Sequence, residues 1–246
     1  NFVGNYYTPL FTNTGTINKT APLGAAIFDG AVNVVNSGTL NASVGLIEFN
    51  RDLYLDTGTI IKGDGVVRAK GMTRPRGTTV IGDSGGGGKF ELAAGTLEGQ
   101  FIGNSPNSFI NSGNAASEFR WTGGQIFYSL SLGTGLTTNI TGAGNRDLGS
   151  WNWYNGAPWG ELINAGTINW QPGSDIRFAY HSASITNSGT FNLYGNGTIQ
   201  GNYYGGSVTN TGTIEKINTD GATTIASNLG FNSSGTIKVS LGAAAN

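Results

Sequence analysis

Four aromatic side chains crowd into nine residues, WNWYNGAPW: Trp151, Trp153, Tyr154 and Trp159. Exposed aromatic faces stack on sugar rings, and Asn152 and Asn155 could supply the hydrogen bonds that orient a glycan. The competing reading is that these rings cover an inlet to the core or pack an inserted loop. A second chemistry, polysaccharide cleavage, needs carboxylates gathered on one face or a carboxylate beside a base. The chain has 14 Asp and Glu residues and no two are adjacent. Glu48, Asp52 and Asp56 share strand parity and could share a face near Arg51, where surface charges or corner caps are the simpler account. Asp175 and Arg177 share parity with His181, the one histidine, for which a surface or packing role is the simpler account. No catalytic residue is assigned, and the expected class is not an enzyme.

Several other chemistries are excluded. There is no cysteine, so disulfides, zinc–thiolate sites and thiol catalysis are absent. No EF-hand or nonapeptide calcium pattern occurs, and neither a metal nor a cofactor is expected. The run GDSGGGGK, Gly82 to Lys89, lacks the spacing of a phosphate loop and reads as a bend between structural units. Net charge is −1, which gives no field for nucleic acid. Lys62, Arg68, Lys70, Arg74, Arg76 and Lys89 form a locally basic stretch set against Asp64 and Asp83. This stretch reads as a solvated loop region, with contact to an anionic glycan as the alternative. No apolar run reaches the length of about 18 residues that spans a bilayer. Charged residues are only 11%, so a neutral surface of Asn, Thr, Ser and Gly must replace the usual charged one.

The elements that would position any site are written in a recurring phrase. It reads TNTGTI at Thr12, VNSGTL at Val35, LDTGTI at Leu55 and AAGTL at Ala93. It returns as INAGTI at Ile163, TNSGTF at Thr186, TNTGTI at Thr209 and NSSGTI at Asn232. Gly166, Gly189, Gly212 and Gly235 are evenly spaced, and the same interval separates Gly15 from Gly38. A fixed period in the range of about 20–50 residues marks a stacked supersecondary unit. Aligned on the glycine, Leu162, Ile185, Val208 and Phe231 form one apolar column, and Ile168, Phe191, Ile214 and Ile237 a second. Phe11/Val34 and Ile17/Leu40 fill the same two columns in this alignment. Thr and Asn, Glu or Lys alternate with them, which is the period of two of a strand. Glycine at the centre permits a corner with positive φ. Asn13 and Asn36, and likewise Asn164, Asn187 and Asn210, stack in register and are expected to form an internal amide ladder that satisfies corner backbone groups.

The expected fold is all-β: one right-handed parallel β-helix (β-solenoid) over residues 1–246, with about 10–11 coils of roughly 22–23 residues. Coils are regular over 10–70 and 160–240, and irregular with loop insertions over 71–159. The stretch from Gly15 to Gly235 reads as ten intervals.

FRWTGGQI (Phe119 to Ile126), LINAGTINW, ITNSGTFNLYGNGTI and VTNTGTIEKINTDGATTI resemble the repetitive β-helix regions of bacterial autotransporter passengers and filamentous-haemagglutinin-like adhesins. The resemblance implies a secreted or bacterial cell-surface protein with a structural or adhesive role, and it transfers no catalytic residues. The chain begins at Asn1 without Met, which fits a removed leader or a piece of a longer chain. Neither end carries an amphipathic capping helix, so self-association head to tail, or flanking chain, is expected at both ends. The functional expectation is an extracellular fibre subunit or adhesin stalk. The alternatives are a carbohydrate-binding module using Trp151 to Trp159 and, third, a polysaccharide-cleaving β-helix enzyme.

Overall fold

The computed structural model describes residues 9–98, 107–111, 116–149, 160–179, 183–201, 205–217 and 221–240. These contain 29 strands and no helix, and hence no helix long and apolar enough to cross a membrane. Trp151, Trp153, Tyr154, Trp159 and His181 lie outside the described residues.

The chain winds round three faces in strict rotation. The first turn lays Leu10–Asn13 on the first face, Thr16–Lys19 on the second and Ala25–Phe28 on the third. The last lays Thr224–Ile225, Gly230–Ser233 and Thr236–Ser240 on the same three faces. Each strand pairs in parallel with the strand one turn away, so the backbone bonds run along the rod, from coil to coil. The third face is a 10-stranded sheet, and the other two form a 19-stranded sheet because they share one strand. That strand, Gln125–Leu132, pairs on the first face through Phe127 and on the second from Tyr128 onward. Tyr128 takes the corner with φ of 59°, alone among described non-glycine residues in having positive φ.

Side chains alternate inward and outward, so the interior is a set of columns. One third-face column runs Ile47, Val67, Phe90, Phe119, Thr138, Ile168, Phe191 in direct register. All seven are essentially unexposed. Burying each large apolar member is worth roughly 1.5–3 kcal/mol. Rings also meet rings: Phe28 stacks on Phe49 with centroids 4.8 Å apart, and Phe109 meets Phe119 edge-on at 5.4 Å. Trp170 is 2% exposed, and its indole N–H donates to the Ser174 carbonyl at 3.0 Å.

Each face carries ten strands, so the chain makes ten coils, within the ten to eleven read from the sequence; about nine turns separate the first from the last, where the stretch from Gly15 to Gly235 reads as ten intervals. The steps are also uneven. The stretch of chain from Glu118 to its partner Thr137 is short, and the next, from Thr137 to Thr167, is more than half as long again. The miscount has a definite cause, because the phrase does not mark a fixed point in the turn. Around Gly15 and Gly38 it carries the chain from the first face to the second. Around Gly166, Gly189, Gly212 and Gly235 it carries the chain from the second face to the third. The related AAGTL and WTGGQI link the third face to the first. The columns within each group are in register as expected, but Phe11/Val34 and Ile17/Leu40 lie one face away from Leu162/Ile185 and Ile168/Phe191. LDTGTI departs further. Asn36 pairs with Leu55 while Thr39 pairs with Ile60, so this corner holds two extra residues. Ile61, and not Ile60, fills the core there.

Gly58 of LDTGTI and Gly95 of AAGTL take the anticipated positive φ, at 95° and 70°, but the remaining phrase glycines are needed for a different reason. None of Gly15, Gly38, Gly166, Gly189, Gly212 or Gly235 has positive φ. Instead the corners stack so closely that a Cβ on Gly189 would lie 2.1 Å from the carbonyl oxygen of Gly166. The same clash would occur at Gly38 over Gly15, Gly212 over Gly189 and Gly235 over Gly212. Backbone pairing therefore continues round the corner: Thr190 N–H donates to the Gly166 carbonyl at 2.9 Å and Thr213 N–H to that of Gly189 at 2.8 Å.

Candidate functional site

Five phrases of the regular coils place an asparagine at the inward end of a strand, just before the corner; Ser233 stands there in NSSGTI, and LDTGTI carries Asp56. Asn164 and Asn187 are fully buried, so their amides must be satisfied internally. Asn164 Nδ2 donates to Asn187 Oδ1 at 2.7 Å, and Asn187 Nδ2 to Asn210 Oδ1 at 2.7 Å. Asn210 continues to Ser233 Oγ at 3.0 Å. The Oδ1 of Asn164 accepts from Gly166 N–H at 3.1 Å, and its Nδ2 reaches the Thr190 carbonyl at 3.1 Å. A second, shorter ladder stands at another corner: Asn13 Nδ2 donates to Asn36 Oδ1 at 2.6 Å, and Asn36 Nδ2 to Thr59 Oγ1 at 3.1 Å. Thr59 stands inward at the enlarged LDTGTI corner, which turns Asp56 outward to Arg76 at 2.6 Å.

The outer surface carries a longer ladder that sequence reasoning largely missed. One outward column of the third face runs through Glu48, Arg68, Glu91, Arg120, Asn139, Asn169, Asn192, Glu215 and Lys238 in unbroken register. Arg68 bridges Glu48 at 3.4 Å and Glu91 at 2.9 Å. Asn192 donates to Asn169 at 2.9 Å, and Asn169 to Asn139 at 3.0 Å. The anticipated pair of Glu215 and Lys238 closes at 2.8 Å. On the first face Arg74 joins Asp52, at 2.8 Å, to Glu98, and lies over the Tyr54 ring with Arg76.

These contacts overturn the reading of the basic stretch as a solvated loop. Arg68, Arg74 and Arg76 sit on the strands Val66–Ala69 and Met72–Arg76, and Lys70 directly follows the first of them. Their partners lie one coil away, where a local charge count does not find them. Lys62 pairs with Asp83 at 2.7 Å, and Lys89 donates to the Asp64 carbonyl at 2.8 Å. The Gly82–Lys89 run is a tight bend, in which Asp83 and Gly86 exchange backbone bonds and Gly85 N–H donates to the Asp83 carboxylate at 2.9 Å.

The carboxylate groups weighed for catalysis are also dispersed. Glu48 stands on the third face, while Asp52 and Asp56 stand at the two ends of the Leu53–Asp56 strand on the first. Arg51 is engaged with the Gly30 carbonyl at 2.7 Å. Arg177 grips Asp147 with two bonds of 2.7 Å, and Asp175 accepts from Thr198 N–H and Gln200. Among the described residues no three His, Asp or Glu side chains are placed to hold a metal.

Electrostatics follow the ladders. Burial raises the Glu118 pKa, but hydrogen bonds from Arg120 and Asn139 outweigh it and hold the carboxyl below its ordinary range. The Lys62 ammonium and the Gly85 N–H lower Asp83, and Lys238 and Ser240 lower Glu215. Arg146 points inward and is only 2% exposed. Burial lowers its pKa against the opposing charge of Asp147, and it donates to the Trp121, Asn145 and Thr141 carbonyls. It thereby adds a donor at the Trp121 carbonyl, which also accepts from Thr141 N–H at 3.2 Å, and bonds the corner carbonyls of Asn145 and Thr141.

The last coil breaks the burial pattern. Phe231 and Ile237 continue columns whose earlier members are buried, yet they are 43% and 57% exposed, and Val239 is 69% exposed.

No family model, curated protein or solved structure matches this chain.

Proposed function

We propose that this chain is a secreted structural rod of a bacterial cell surface, a fibre subunit or adhesin stalk that lengthens by stacking coil on coil at its ends. One observation carries the reading: Phe231, Ile237 and Val239 stand exposed at positions that are core in most earlier coils. A parallel coil added there would bury them and pair the edge of Thr236–Ser240 that no described strand occupies. The outer ladders support the same role, because they use up side chains in contacts along the rod and leave the ends as the under-satisfied surface. Low charge and the lack of cysteine fit export, as does the resemblance to surface repeat proteins.

Sedimentation velocity over a concentration series tests this. The expected result is a weight-average mass that rises from 25.4 kDa without a plateau, because a heterologous contact does not close. A single 25.4 kDa species at all concentrations contradicts end stacking.

A further inference from the structure

We propose that the outer surface of the third face, across Thr167–Trp170 and Thr190–Leu193, binds an extended, uncharged polysaccharide chain of the cellulose or chitin type, laid along the rod. This goes beyond the structural role and does not depend on stacking at the ends. It starts from the polarity of the outer asparagine ladder. Asn192 Nδ2 donates to Asn169 Oδ1, and Asn169 Nδ2 to Asn139 Oδ1, so the amides all point one way. The ladder therefore ends on an acceptor, Asn192 Oδ1, which no donor among the described residues reaches. The next coil sets Glu215 opposite Asn192. An ionised carboxylate only accepts, and Glu215 takes its donors from Lys238 and Ser240, one coil further on. Two acceptors are thus stacked without a described donor for Asn192, and the partner this point lacks is a hydroxyl or other donor brought by a ligand.

The surrounding side chains suit a sugar. Thr190 and Asn192 alternate with the buried Phe191 and so face outward. Tyr194 follows at the same parity, its N–H donating to the Trp170 carbonyl at 2.9 Å. Gln171 holds the same place one coil earlier, its N–H on the Ile140 carbonyl at 2.9 Å. All four are half-buried. The side chains of Thr190, Gln171 and Tyr194 make no hydrogen bond, and the Tyr194 ring meets no other ring, among the described residues. Together they offer a hydroxyl, an amide and an aromatic face on which the C–H face of a pyranose packs. Spacing sets the direction. Successive coils lie about 4.7–4.9 Å apart, close to the advance of one sugar along such a chain, so consecutive sugars meet Asn169 and Asn192 in turn. Charge selects the class. The outward residues of the two strands are uncharged. The charges at their border come in both signs and are already engaged, Glu215 with Lys238 and Lys216 with the Gly195 carbonyl at 2.6 Å. A charged sugar therefore gains no net field there, whereas a neutral one needs only the hydrogen bonds on offer.

Affinity electrophoresis of the full chain through gels containing hydroxyethylcellulose, with calorimetric titration of cellohexaose and of the hexamer of N-acetylglucosamine, tests this. The chain should be retarded to an extent that salt does not alter, and should bind at least one of the two oligosaccharides. Asn192→Ala and Tyr194→Ala should each weaken binding about fivefold or more, while Tyr194→Phe, which keeps the ring, should retain most of it. Each changes an outward side chain, so thermal unfolding of all three should match the wild type. Binding that survives Asn192→Ala and Tyr194→Ala but is lost in Trp151→Ala/Trp153→Ala would move the site to that aromatic segment and overturn the proposal. So would retardation by polygalacturonate alone, or no binding to any of these glycans. Assembly is read separately, from the mass of the chain without glycan, so end stacking and glycan binding can fail independently.

Discussion

A methyl group on Gly189 would sit 2.1 Å from the Gly166 carbonyl, closer than any relaxed contact allows. Gly189→Ala should therefore cost about 1–3 kcal/mol in chemical denaturation, whereas Gly86→Ala, with nothing within 4 Å and no positive φ, should change stability by less than about 0.5 kcal/mol. Equal effects would disconnect the glycines from coil spacing. The opposite change is available at Thr138, which stands between Phe119 and Ile168 in a core column, 1% exposed. Its hydroxyl has no hydrogen-bond partner among the described residues. Thr138→Val keeps the shape, removes an unsatisfied polar atom and should raise stability by about 1 kcal/mol. At this scale the sequence was informative about residue type and only partly about reason: left-handed φ holds at Gly58 and Gly95 but not at the evenly spaced glycines. The Gly-Thr-Ile phrase showed that glycine sits at a corner, but glycines one repeat apart gave no sign that the constraint was a neighbouring carbonyl and not left-handed φ.

Ladders are the characteristic elements of this fold, and their worth depends on burial. Glu48, with a side chain 7% exposed, is held by Arg68 and Lys70 at 3.4 and 2.9 Å. Glu48→Gln should cost about 1–2 kcal/mol, because it leaves two cations under-compensated beside a buried site. Arg76→Gln, which breaks a pair 49% and 33% exposed, should cost less than about 0.5 kcal/mol. Acid should act on the same elements. The folded pKa of Glu118 lies below its ordinary value of 4.5. Its contribution is complete above that value and is lost as pH falls through the lower folded one. Thermal midpoints should hold down to about pH 5 and drop below about pH 4; a flat profile to about pH 3 would show that the carboxylates contribute nothing. The inward half of these elements was readable from alternation, including the columns through Leu162 and Ile168. The outward half was not, because Arg68 and Glu91 become neighbours only when the coil length between them is known, and the phrase misreported it. Only Asn169, Asn192, Glu215 and Lys238, which lie in the regular coils, could be aligned in advance, and of these Glu215 and Lys238 as an ion pair. The Trp151 to Trp159 segment belongs to no described element.

At the scale of the molecule, ten stacked coils in parallel pairing make a rod of about 50 Å at the usual inter-strand spacing. The phrase that announces a solenoid visits all three corners in succession, so it specifies how coils stack without specifying where a turn begins. That is why the fold was legible and the number of intervals between Gly15 and Gly235 was overcounted. What the molecule does then turns on whether its open last coil is a stacking surface, and cryo-electron microscopy of the purified chain across a concentration range decides it. Fibres are expected, with a strand spacing of about 4.8 Å that continues unbroken through each junction and a subunit repeat of about 50 Å. Separate rods of that length at every concentration, with no end-to-end contacts, would contradict the stacking surface.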